Sequence, residues 1–263
     1  MILTQPSIDP VIFSLGYIDF RWYSLAYLLA FLIGSYLIKY LNNKTQSSKL
    51  TNIQIDNFFI WSVLGVILGG RTGYVLFYQL DQFLLNPLYI TYIWEGGMSF
   101  HGGLIGITLS TYFFSKKNHI NFLTLADLIS IVAPIGLFLG RIANFINVEL
   151  IGRVTEFPFA IIYPSIDNLP RHPSQLYEAF FEGLVLFIIL IIFFIKKHPI
   201  KNHGVLSGLF LFLYGSFRFF IEFLREPDHH IGLFIEIFTT GQILSMPLII
   251  IGLLMILKKK QHA

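Results

Sequence analysis

The 263-residue chain has no cysteine. That absence excludes a disulfide framework, a structural thiolate metal site and a cysteine nucleophile, so any thiol chemistry has to use a thiol that a substrate brings. Charge is scarce as well: 13% of residues are charged against 55% hydrophobic, and mean hydropathy is +0.69. A soluble domain of this length does not carry that balance, which makes the bilayer the solvent. No motif calls for a metal or a soluble cofactor, and none is expected. The opening MILTQPSIDPVIFSLGYIDF lacks a basic leader and carries Asp9 and Asp19, so it does not read as a cleaved signal peptide. The first apolar helix is expected to serve as the insertion signal. The net charge of +3 comes largely from lysine clusters beside apolar runs, a pattern that orients helices and argues against a nucleic-acid partner.

A spanning helix needs about 20 apolar residues. Seven segments qualify, near 22–39, 57–79, 97–115, 123–145, 175–195, 204–224 and 237–257. The expected fold is an all-α membrane protein, a polytopic bundle of about seven transmembrane helices making one domain over 1–263. The longest connection, 146–174, holds four prolines and is expected to form a small irregular cap. Lys44, Lys49, Lys116, Lys117, Lys196, Lys197, Lys201, Lys258, Lys259 and Lys260 fall in the loops after spans one, three and five and in the C-terminal tail, with Lys39 at the same edge. The positive-inside rule makes that side cytoplasmic, which puts the N-terminus outside and the C-terminus inside.

The arginines behave differently. Arg21, Arg71, Arg141, Arg153, Arg171, Arg218 and Arg225 all map to outer loops or to the outer halves of spans two, four and six. Spans four, five and six have charge-free stretches of only 13 or 14 residues (128–140, 183–195 and 204–217), too short to cross alone. Arg141, Glu178, Glu182, Arg218 and Glu222 are therefore expected at or near membrane depth. Ionisable groups there face a protein interior or a wet cavity. Mutual pairing that only holds helices together accounts for any one of them, but less readily for a set gathered in one leaflet.

Three stretches can carry chemistry. Span six reads LFLYGSFRFFIEFLREPD, with Tyr214, Arg218 and Glu222 on one helix face and Arg225 a turn further. A guanidinium suits phosphate because its planar fork stays charged and binds two oxygens; an Arg218–Glu222 ion pair within the helix is the plainer alternative. Span three opens EGGMSFHGGLIG and puts His101 beside Gly102, Gly103 and Gly106, small residues that let another helix or a lipid headgroup approach. Histidine titrates near neutrality, so His101 is the leading general-base candidate and His172 the next, against a plain packing role. His119, His198, His203 and His262 lie on the other side. GRIANFINVELIGRVT, at the end of span four, gathers Arg141, Asn144, Asn147, Glu149, Gly152 and Arg153 within thirteen positions. Helix capping and snorkelling explain these singly, but not together.

GRIANFINVELIGR resembles the signature of the bacterial prolipoprotein diacylglyceryl transferase family. RWYSLAYLLA, HGGLIG, RHPSQLYEA and YGSFRFFIEFLREPD are similar to further blocks of that family, in order, across nearly the whole chain. The resemblance implies transfer of the diacylglyceryl group of phosphatidylglycerol to the lipobox cysteine thiol of a preprolipoprotein, forming a thioether and releasing glycerol phosphate. Its implied partners are phosphatidylglycerol, lipobox signal peptides and membrane lipids, and its implied place is the bacterial inner membrane with the site toward the outer leaflet. Carried onto this chain it points to His101, Arg141, Asn144, Glu149, Gly152, Tyr23, Tyr214 and Arg218. Arg141 is the expected phosphate ligand. His101 or Arg218 governs the thiol, with His101 favoured because a guanidinium is a poor base. Asn144, Glu149 and Tyr23, with Asn147, Arg153 and Glu222, are expected to hold headgroup hydroxyls or orient the arginines, and Tyr214 to bond the group that Arg218 holds. A transporter or binding protein for an anionic lipid is the competing class.

Overall fold

The computed structural model describes residues 3–16, 18–45, 50–197, 203–226, 233–234 and 238–258. Lys49, Lys201, Lys259, Lys260, His198 and His262 lie outside the described residues. One short strand and a hairpin open the chain: β1 (Leu3–Thr4), then β2 (Val11–Leu15) and β3 (Ile18–Arg21), which pair antiparallel. Helices α1 (Trp22–Thr45), α2 (Asn52–Tyr78), α3 (Leu80–Leu85), α4 (Phe100–Asn118) and α5 (Phe122–Ile146) follow, with 3₁₀ turns at Pro87–Thr91 and Ile93–Glu95. Strands β4 (Ile161–Ile162) and β5 (Pro170–Arg171) lead into α6 (Ser174–Glu178), a π-helical stretch (Ala179–Val185) and α7 (Leu186–Lys197). Helix α8 (Val205–Ile221), strands β6 (Leu233–Phe234) and β7 (Phe238–Thr239), and α9 (Thr240–Leu257) complete the described chain.

Each of the seven apolar segments expected from sequence coincides with a helix. Among the described residues, five are long and apolar enough to cross a membrane: α1, α2, α5, the 174–196 helix and α9. Their outer surfaces carry exposed Leu32, Ile33, Leu64, Leu68, Ile250 and Leu254, as a lipid-facing surface requires. The chain divides into two compact units, residues 38–126 and residues 1–37 with 127–263.

In the first of these, α2 and α4 pack backbone to backbone. Gly65, Gly69 and Gly73 recur every fourth residue on α2, and Gly102, Gly106 and Ser110 do so on α4; a Cβ built on Gly73 would lie 2.8 Å from Gly102 Cα, and one on Gly69 2.7 Å from Gly106 Cα. Small residues at this spacing let membrane helices associate by close packing. Of the two uses expected for Gly102 and Gly106, helix approach is the one realised; Gly103 meets Val66 at an ordinary 3.7 Å. Thr51 and Gln54 form a capping box at the start of α2. Buried Arg71 holds the segment before α4, its guanidinium donating to the carbonyls of Tyr89 (2.8 Å), Ile90 (3.3 Å) and Gly96 (2.5 Å).

In the second unit α8 packs on α9 through Gly208, Gly215 and Gly252. The start of α8 is held across helices: buried Asp127 of α5 accepts from Gly204 N (2.6 Å), Ser207 N (2.8 Å) and Ser207 Oγ (2.7 Å). These are the amides a helix N-terminus leaves unsatisfied, and Gly204 itself provides no side-chain cap. In segment 146–174, β4 and β5 pair antiparallel and β4 pairs β1 of the N-terminal segment, giving a three-stranded ladder in the order β1-β4-β5. Pro170 sits at the start of β5, a position that asks nothing of its missing amide.

Candidate active site

Helix α5 ends within the polar motif, carrying Arg141 and Asn144 on its last turns. After Ile146 the chain turns through Val148 (φ 57°) and Leu150 (φ 56°), left-handed conformations that a β-branched or bulky residue adopts only when its surroundings impose them. They are imposed here from three sides. Glu149 N donates to Asn144 O (2.9 Å), and the Glu149 and Leu150 carbonyls accept from Gln175 Nε2 (2.5 Å) and Ser174 Oγ (2.7 Å) at the start of α6. Gly152 N bonds His172 O (3.0 Å), Arg153 N bonds Leu224 O (2.9 Å) and Arg153 Nε bonds Arg225 O (2.9 Å) at the end of α8. Two backbones close on Gly152, where a Cβ would lie 2.8 Å from Leu224 O and 2.6 Å from His172 Cβ. Gly152 and Arg153 thus act through packing and backbone position, tying α5, α6 and α8 together.

The turn aims Glu149 back at α1. Tyr23 Oη donates to Glu149 Oε2 (2.7 Å), and Asn144 Nδ2 donates to the same oxygen (3.1 Å) and to Tyr23 Oη. Asn147 Nδ2 donates to Glu149 Oε1 (3.4 Å). Asn144 Oδ1 in turn accepts from Arg141 Nη1 (3.5 Å), linking this group to a buried ionic cluster. Arg141 Nε lies 3.0 Å from Glu178 Oε2 and its Nη2 3.5 Å from Glu182 Oε2. Arg218 pairs with Glu178 Oε1 through Nη1 and with Glu222 Oε2 through Nη2 at 2.7 Å, and Arg225 Nη1 lies 3.6 Å from Glu178 Oε1. The Tyr214 ring stacks on Phe210 at 5.6 Å, within electrostatic reach of Arg141, Arg218 and Glu182.

Three guanidiniums and three carboxylates therefore share one site, with Glu178 and Glu182 fully buried. Balance is what permits it, because an isolated charge at this depth is far more costly than a matched set. The Arg218–Glu222 pair within α8 is present, and it is one contact of a larger cluster. Arg141 and Arg218 keep 16% and 13% of their side chains accessible while Glu178 and Glu182 keep none. The cationic faces are thus the side of the cluster that a ligand can meet.

Eight expected residues, Tyr23, Arg141, Asn144, Asn147, Glu149, Tyr214, Arg218 and Glu222, gather in this one unit. His101 belongs to the other, exposed in the first turn of α4 just after the Ser99 N-cap. His172 is half-buried, with Nδ1 3.4 Å from Tyr177 Oη, and burial lowers its pKa, which favours the neutral ring. The short charge-free stretch of span five puts Glu178 and Glu182 near membrane depth, yet no motif in the sequence assigns them to the site. Their i, i+4 spacing within one span was the available signal. Arg225, read only as a neighbour of Arg218, completes the charge balance.

A family model described as prolipoprotein diacylglyceryl transferase matches residues 10–258. The chain is 48% identical over 250 residues to a phosphatidylglycerol–prolipoprotein diacylglyceryl transferase of Rickettsia felis, covering 95% of this chain and 96% of the relative. A like-named protein of Pseudoalteromonas atlantica is 52% identical over 254 residues, 95% of this chain and 89% of the relative, and one of Rickettsia bellii is 48% identical over 256 residues, 97% of each.

Proposed function

This chain belongs to the prolipoprotein diacylglyceryl transferase family, and we propose that the network running from Tyr23 to Glu222 is where it works. The enzyme transfers a diacylglyceryl group from phosphatidylglycerol to prolipoproteins. In our reading the acceptor is the lipobox cysteine thiol. Its sulfur attacks the glycerol carbon that bears the phosphate, a C–S bond forms, the C–O bond breaks, and glycerol phosphate leaves. The chemistry needs fixed cations for a leaving group that gains charge, a base for the thiol proton, and no nucleophile from the enzyme.

The observation that carries this reading is the partly accessible cationic side of a balanced, otherwise buried cluster. Arg141 supplies the phosphate contact. Among the described residues its Nη1 faces only an amide oxygen, at 3.5 Å, which leaves that edge of the fork available to a lipid oxygen. Arg218 stabilises the thiolate or the leaving oxygen, with Tyr214 beside it. Tyr23, Asn144 and Glu149 hold headgroup hydroxyls and fix the orientation of Arg141, and Asn147, Arg153, Gly152 and Glu222 keep these groups in place. For the thiol proton we favour His101 over Arg218 on residue chemistry alone, since a guanidinium is a poor base.

The setting we propose is the bacterial inner membrane, crossed seven times, with the N-terminus outside, the C-terminus cytoplasmic and 146–174 capping the outer face. The lysine distribution supports that orientation, as does the position of the cluster next to the cap.

The test is transfer of labelled diacylglycerol to a lipobox peptide in detergent. His101→Gln and Arg218→Ala are each expected to abolish it while the folded protein remains in the membrane, and Arg141→Lys to impair it, since a point charge cannot replace a bidentate fork. Full activity in the His101 and Arg218 variants overturns their assignment. No turnover in detergent by the unsubstituted protein, with lipid movement across sealed vesicles instead, overturns the transferase reading.

A further inference from the structure

A cavity of about 300 Å³ opens beside the network and shares Asn147 with it. The extended N-terminal segment gives it Gln5, Ser7 and Ile8, the strained turn after α5 gives Asn147 and Val148, and the cap gives Ser165. Among the described residues no charged side chain lines it. Amides, a pair of hydroxyls and aliphatic groups are a poor host for a phosphate or a cation, but they match an uncharged peptide, whose backbone needs hydrogen bonds and whose small side chains need apolar contact.

Two further features point to polypeptide. Asn147 uses its amide on Glu149 at 3.4 Å, while its buried carbonyl oxygen has no hydrogen-bond partner among the described residues. An acceptor left in that state calls for a donor, and a backbone N–H supplies one. In addition β1 is the outer strand of the β1-β4-β5 ladder. Gln5 N is committed to Ile162 O at 2.9 Å, so the alternation of a strand turns the backbone groups of Thr4 to the open side. A peptide laid along that edge extends the sheet and passes over the cavity floored by the next residues, Gln5 and Ser7.

We propose that this cavity and the edge of β1, which no other described strand pairs, form a docking site for an extended, uncharged stretch of polypeptide, occupied by the residues of the preprolipoprotein that follow the modified cysteine. The proposal rests on the transferase reading. Asn147 links cavity to site: its amide reaches the Glu149 carboxylate that also accepts from Tyr23 at 2.7 Å. A cysteine held at the cluster would send the chain that follows it out of the membrane and over the cap.

The experiment compares two lipobox peptides in detergent, one ending at the cysteine and one continuing for six uncharged residues. With the unsubstituted protein the extended peptide should have a KM at least tenfold lower than the truncated one. Ser165→Trp and Ser7→Trp, both at exposed lining positions, fill the cavity and should bring that ratio close to one. A ratio near one in the unsubstituted protein, or one unchanged by both substitutions, overturns the proposal while leaving the transferase reading intact. A photoreactive residue placed third after the cysteine gives a readout free of turnover. Crosslinking to residues 3–10, 146–148 or 164–165 supports the site, and crosslinking to bound lipid or elsewhere on the chain overturns it. Absence of transfer to either peptide defeats the transferase reading, and the crosslink still decides whether the cavity takes peptide.

Discussion

Replacing Glu178 with Gln removes one of the three negative charges that balance Arg141, Arg218 and Arg225. Glu178 is the member common to all three: 3.0 Å from Arg141 Nε, bonded to Arg218 Nη1 and 3.6 Å from Arg225 Nη1, with none of its side chain exposed. Breaking a buried pair by neutralising one partner costs about 3–5 kcal/mol, because the other charge stays behind uncompensated. Glutamine keeps one oxygen for Arg218, so the lower end, about 3 kcal/mol, is the expected loss. For a protein of this size each kcal/mol corresponds to about 2–4 °C, giving a fall of roughly 6–12 °C in melting temperature. The assay is thermal loss of monodisperse protein in detergent. Glu178→Gln combined with Arg225→Gln restores neutrality and should melt above Glu178→Gln alone, because residues of one network do not contribute additively. A single variant within about 1 °C of the unsubstituted protein would refute the charge-balance argument. A double variant whose loss equals the sum of the two single losses would refute it equally.

Asp127→Ala leaves Gly204 N and Ser207 N without their carboxylate and should cost about 2 kcal/mol, a drop of roughly 4–8 °C in the same assay. Gly106→Ala forces a methyl into the α2 backbone at Gly65 and should destabilise by about 1–3 kcal/mol, whereas Gly103→Ala meets only Val66 and should melt like the parent. In the cap, the Arg171 guanidinium, 2.6 Å from Asp167, holds that carboxyl below its usual range. Burial also depresses His172. Both groups have lower pKa values folded than unfolded, so their contributions are complete above the unfolded values and fade as pH falls. Amide exchange over 161–171, corrected for intrinsic rates, should quicken between about pH 7 and pH 3, and less so in Asp167→Asn.

Much of this protein follows from local properties of the chain. Apolar runs long enough to span a bilayer must be helical, since lipid offers no partner to a free amide, and every expected span coincides with a helix. The short charge-free stretches of spans four to six pointed to ionisable groups at depth, and Arg141, Glu178, Glu182, Arg218 and Glu222 all take part in the cluster. Only the tertiary structure decided who pairs with whom. Glu178 and Arg218 are 40 positions apart and Tyr23 and Glu149 126 apart, and no periodicity reports a partner on another helix. The same applies to the glycines of span three, whose spacing suits a helix or a headgroup until the backbone of α2 is seen against them. It applies to Gly152 too, which reads as part of a polar motif and works by letting the His172 and Leu224 backbones close on it. Composition determines that charge in a membrane must be matched; long-range packing determines the residues that match it.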